Sequence, residues 1–145
     1  MPIRYCPDSI VVPSDPAEIL EWAASHIEHV GIHQGTHLFN GAGRTVTLAC
    51  WPRGAIRVAA GDGRFTSRRR YDHAAIRRGE AEALRLFAEH LTGQPIDAHE
   101  DPYAHRRAID EWSAAPGRTA HEAAEQMRAA VREAQSTADR AEFLF

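Results

Sequence analysis

The chain has 145 residues, of which 43% are hydrophobic and 26% charged, with a formal net charge of −3 and a sequence pI near 6.3. That length suits one compact domain, able to bury a core without disulfide or metal staples. No run nears the ~20 apolar residues that span a bilayer, and the opening MPIRYCPDSIVVPSDP lacks the apolar stretch of a secretory signal; the expectation is a cytoplasmic protein with no membrane association.

In chain order, residues 1–13 read as an extended arm, with Ile10, Val11 and Val12 as an edge strand or anchor. Asp15 then offers an N-cap, Pro16 suits the first helical position and Gly31 a stop, predicting a helix to Val30. Ile19, Ala23, Ile27 and Val30 share its apolar face. Thr36–Phe39 and Thr45–Ala49 are short β-favouring runs around Asn40-Gly41-Ala42-Gly43, predicting a β-hairpin at about 36–49. Pro52 suits the first turn of a short helix, Arg53–Ala60, that Gly61 ends. Residues 64–71, RFTSRRRY, form a basic connector, and Asp72 can cap a long helix to about Leu91. A shorter helix is expected at about Tyr103–Ser113. Thr119 and Glu122 form a capping box for the last one, whose seam is Ala120, Ala124, Met127, Val131, Ala134 and Ala138. The expected class is α+β: about five helices with one hairpin, a helical core over 14–142 in a single domain.

Three stretches, in this order, resemble a family of short actinobacterial and actinophage proteins of unknown function. They are Gly31-Ile32-His33-Gln34-Gly35 after the first helix, Cys50 leading into Gly54-Ala55-Ile56-Arg57, and Ile109-Asp110-Glu111-Trp112 followed by Pro116-Gly117-Arg118-Thr119. Here His33 precedes the Gln-Gly pair, Trp51-Pro52-Arg53 stands between Cys50 and Gly54, and Ser113-Ala114 follows Trp112. The resemblance implies a shared fold and an actinobacterial setting, and no activity.

All 17 basic residues are Arg, beside 26 Ala and nine His. Codon pressure in a GC-rich genome accounts for that bias, but not for its placement: residues 1–40 carry −4, residues 41–85 +6 and residues 86–145 −5. Mutual neutralisation in the fold is the plain account; an exposed basic face for an anionic partner is the sharper one. Arg53, Arg57, Arg68, Arg69 and Arg70 are the candidate ligand-binding cations. Glu80 joins them because it lies within about 40° of the apolar stripe of its helix, taking ~100° per residue, where a carboxylate needs a partner.

Cys50 is the candidate nucleophile, at a strand-to-helix junction where a helix N-terminus can stabilise a thiolate, with His33 or His37 as base. A buried structural cysteine is the commoner fate of such a residue. The His26, His29, His33, His37 run lacks the spacing of a zinc site, so no metal and no cofactor is assigned. Two readings follow. One is a small binding or regulatory module engaging an anionic ligand or an acidic protein surface, nucleic acid remaining a candidate despite the acidic pI. The other is a Cys/His enzyme of acyl or thiol chemistry centred on Cys50. A homodimer through the last helix is a further candidate.

Overall fold

The computed structural model describes residues 4–7, 9, 11–61, 73–97 and 99–144, with side chains to 142. Its elements are α1 (Pro16–Val30), a 3-10 turn (Thr45–Thr47), α2 (Pro52–Ala59), α3 (His73–Thr92), α4 (Ala104–Ser113) and α5 (Ala120–Leu144).

The start and stop signals in the sequence become local structure. The Asp15 carboxylate accepts a hydrogen bond from Glu18 N at 3.2 Å, satisfying one of the orphan donors of the first turn. Gly31 ends α1 at φ 92°, a conformation costly to any residue with a Cβ. At the head of α5, Glu122 N donates to Thr119 Oγ1 (3.1 Å) and Thr119 N to Glu122 Oε1 (3.3 Å), a reciprocal capping box.

Packing then arranges the helices. α1 is the hub, in contact with α2, α3 and α5; α3 and α4 pack on each other and both meet α2. Ile19, Leu20, Ala23, Ala24 and Ile27 of α1 join Ala123, Ala124, Met127 and Val131 of α5 and Phe87 of α3 in one buried cluster. Each large apolar side chain there stabilises the fold by roughly 1.5–3 kcal/mol. The alanines let α1 and α5 approach closely, because interaxial distance follows the side chains at the contact. The buried part of the expected seam stops early: Ala138 is exposed, while Ala123 and Ala130 are buried beside it. The N-terminal arm is tied down. Tyr5 packs edge-on against Trp22 at 5.4 Å and its hydroxyl lies 2.8 Å from Nδ1 of the buried His26.

The expected hairpin does not form, and the class is all-α rather than α+β: the described residues contain five α-helices and no strand or sheet. Thr45–Thr47 coils into the 3-10 turn, with the Thr47 hydroxyl donating to Arg44 O at 2.8 Å. What remains of β pairing is two isolated bridges, both at Cys50. Cys50 N donates to Gly31 O and His33 N to Cys50 O, while Asn40 N donates to Ala49 O and Trp51 N to Leu38 O. An isolated two-stranded ribbon has little independent stability. Here the chain instead loops out over 40–49 and sends a single residue between two others.

The stretches that carry the resemblance are joints of this fold. Cys50 clamps 31–33 to 38–40. Gln34 Nε2 donates to Ser113 O (2.8 Å) and Ala115 O (2.9 Å), tying the loop after α1 to the α4–α5 turn. Arg118 lies over the Trp112 ring at 3.9 Å, donates to Trp112 O, and pairs with Glu122.

Candidate functional site

A cleft of about 480 Å³ opens where α2, α3 and α4 meet. Arg53 and Arg57 reach it from α2, Arg77 and Glu80 from α3, and His105 and Arg106 from α4, over an apolar floor that includes Leu84. Their positions follow from helix geometry. Arg53 and Arg57 are spaced i, i+4 and fall on one face. Leu84, buried on the stripe of α3, is four residues after Glu80 and draws that carboxylate to the cleft. Ile109, fully buried on α4, does the same for His105.

The charge is one-sided. Among the described residues, the lining holds four guanidinium groups against one carboxylate. Asp110 takes up Nε of Arg53, at 3.1 and 3.2 Å to its two oxygens; with both side chains partly exposed, the pair contributes about 0–1 kcal/mol. The terminal nitrogens of Arg53 make no hydrogen bond to any described residue. Arg106 rests over the Tyr103 ring at 5.8 Å, and neither it nor Arg77 forms an ion pair among the described residues. His105 Nε2 is shielded from solvent without a hydrogen-bond partner among those residues, an arrangement that costs about 1–3 kcal/mol.

Helix dipoles deepen the imbalance. The cleft faces the N-terminal turns of both α2 (Arg53) and α4 (His105, Arg106), and neither helix has a side-chain cap or an acidic residue in that turn. A helix N-terminus carries about half a positive charge and favours anions. Cations in both first turns therefore break the local rule, at a cost of roughly 0.3–1 kcal/mol each. Local rules broken together in one cleft are the mark of a site shaped for something other than stability.

The other candidates fall elsewhere. Cys50 is fully buried, and loss of hydration pushes its thiol up to about 12, so it is a neutral thiol near pH 7. His33 is its backbone neighbour, but the His33 ring folds over Gly35, where a Cβ would come within 2.5 Å of it; His37 is exposed. Among the described residues no group of three or more His, Cys, Asp or Glu is placed to hold a metal ion. Arg68, Arg69 and Arg70, the Asp72 cap, and Ile10 of the N-terminal arm lie outside the described residues.

Sequence reasoning thus singled out Arg53, Arg57 and Glu80, and the fold brings all three to one cleft. It passed over His105 and Arg106, which stand in the acidic last third of the chain. The spacing of His105 to the apolar Ile109 was the one local hint. No helix of the described residues is long and apolar enough to cross a membrane.

Fold and cleft together define an all-helical protein with an arginine-lined opening among three helices. The chain belongs to a family of unknown function (DUF6197), whose model matches residues 11–133. No curated protein and no solved structure matches the chain.

Proposed function

We propose that the protein is a small binding module that holds an anionic ligand in the cleft between α2, α3 and α4. The observation that carries this reading is the convergence of Arg53, Arg57, Arg77 and Arg106 from three helices on one concavity, with Glu80 the only carboxylate in its lining among the described residues. Guanidinium forks match phosphate and carboxylate oxygens two at a time. The volume is that of a small-molecule site rather than a flat contact surface. An anion there relieves the first-turn arginines of α2 and α4 and meets two positive dipole ends at once. Arg68, Arg69 and Arg70 belong to the same reading through sequence: they lie in the segment joining α2 to α3, two walls of the cleft. The module works in the cytoplasm of an actinobacterium, as composition and the resemblance suggest.

Calorimetric titration with tripolyphosphate tests the reading. Binding is expected to weaken at least several-fold between roughly 50 and 200 mM salt, since charge–charge attraction is screened. It is expected to fall below detection in the Arg77→Gln/Arg106→Gln double variant. Affinity that ignores salt, or survives both substitutions, removes the cleft as an anion site.

A further inference from the structure

Beside the cleft lies a second, shallower hollow of about 490 Å³, lined by Trp51, Tyr103, Arg106, Arg107, Asp110 and Glu111. The two are continuous. Arg106 lines both, and the Arg53–Asp110 pair joins a residue of one to a residue of the other. Tyr103 is 60% exposed, a large ring with Arg106 resting on it. Trp51 is held in place, its Nε1–H donating to Gly35 O at 3.0 Å.

We propose that cleft and shelf together bind a nucleoside polyphosphate, the phosphates among Arg53, Arg57, Arg77 and Arg106 and the base against Tyr103 and Trp51. This rests on the reading of the cleft as an anion site and names the ligand class. Three observations favour it. Exposed aromatic faces beside a basic cleft are what a base needs for stacking and its phosphates for charge. The charge balance differs between the two hollows: the described lining of the cleft is rich in guanidinium, whereas the shelf sets Asp110 and Glu111 against Arg106 and Arg107. Exocyclic amino groups of a base are met by the Asp110 and Glu111 acceptors there. Finally, Arg106 already rests on Tyr103, and pulling that guanidinium toward phosphate frees the ring for the base.

The test compares adenosine triphosphate, tripolyphosphate and a 20-nucleotide single strand on the full chain by calorimetry. The nucleotide is expected to bind roughly 5- to 100-fold tighter than tripolyphosphate, the range that one stacked base supplies. Tyr103→Ala is expected to erase that advantage while leaving tripolyphosphate affinity unchanged. An unchanged Tm for this variant of an exposed ring shows that it is folded. Equal affinity for nucleotide and tripolyphosphate, or an advantage that survives Tyr103→Ala, overturns the nucleotide assignment and leaves the anion site standing. Failure of both ligands to bind overturns both readings. A strand that displaces the nucleotide at equal phosphate concentration, with a steeper salt dependence, assigns the face to nucleic acid and also overturns the proposal.

Discussion

The α1–α5 seam and the α2–α3–α4 cleft are built from the same two favoured residues, alanine and arginine, put to opposite use. On the seam Ala23, Ala24, Ala123 and Ala124 are fully buried, and the arginine at its edge, Arg128, is matched by Glu21 and Glu28 of α1. At the cleft the arginines outnumber the acids, and two of them sit in helix first turns that favour negative charge. Arginines matched across a seam fasten helices. Arginines gathered in a concavity store electrostatic free energy that an anion can release. The difference implies that the seam should fail in stability when altered and the cleft in affinity.

The largest expected effect is on the packed side. Ile27→Ala removes a fully buried side chain of α1 and is expected to cost about 2–5 kcal/mol in urea unfolding, because the surrounding helices collapse only in part. Anion affinity of the fraction that stays folded is expected to be unchanged.

Alkaline unfolding probes the joint at Cys50. Its thiol ionises at about 12 in the folded protein against 9.0 when free. The neutral form is thus the one the fold favours, so its contribution is fully present below pH ~9 and is lost as pH rises toward the folded value. By pH ~10.5 the loss is on the order of 2 kcal/mol. Cys50→Ala is expected to remove this alkaline step from the pH profile of Tm, whatever it costs in packing. Alkylation at neutral pH is expected at the exposed Cys6 long before Cys50; rapid labelling of Cys50 would restore it as a nucleophile.

Thr119→Ala takes away one half of the capping box on α5 and is expected to cost about 1 kcal/mol. The Glu122 carboxyl is held below its usual range, first by the Arg118 guanidinium and then by Thr119. Its share is therefore present at neutral pH and lost as acid protonates it, which a Tm profile below pH ~5 would show.

The smallest stability effect belongs to the cleft. Arg77→Gln is expected to leave Tm unchanged within about 0.5 kcal/mol of folding free energy, as for surface sites without a partner, while weakening tripolyphosphate binding. A loss comparable to that of Ile27→Ala would place Arg77 among the fastening arginines and dissolve the contrast between the two regions.

Every helix was legible within a residue or two, because caps and stops are local chemistry. Asp15, Pro16 and Gly31 bound α1, and Thr119 with Glu122 opens α5, without help from distant parts of the chain. The hairpin was misread for the complementary reason. Alternation at Thr45–Ala49 states a preference for extended chain, yet a strand exists only through a partner, and here the bonds of Cys50 go to 31–33 while those of Ala49 and Trp51 go to 38–40. The cleft was half legible. Arg53 and Arg57 announced themselves by i, i+4 spacing, and Glu80 by standing near an apolar stripe. His105 and Arg106 did not, since nothing local says that the start of α4 packs beside α2.

The excess of arginine over the middle of the chain was a property of the sequence alone, as were the helices that carry it. Which arginines would be neutralised was decided only by tertiary packing. Charge pairing depends on distances between groups far apart in sequence, and the fold gives Glu21 and Glu28 to Arg128 while giving Arg77 and Arg106 a common opening.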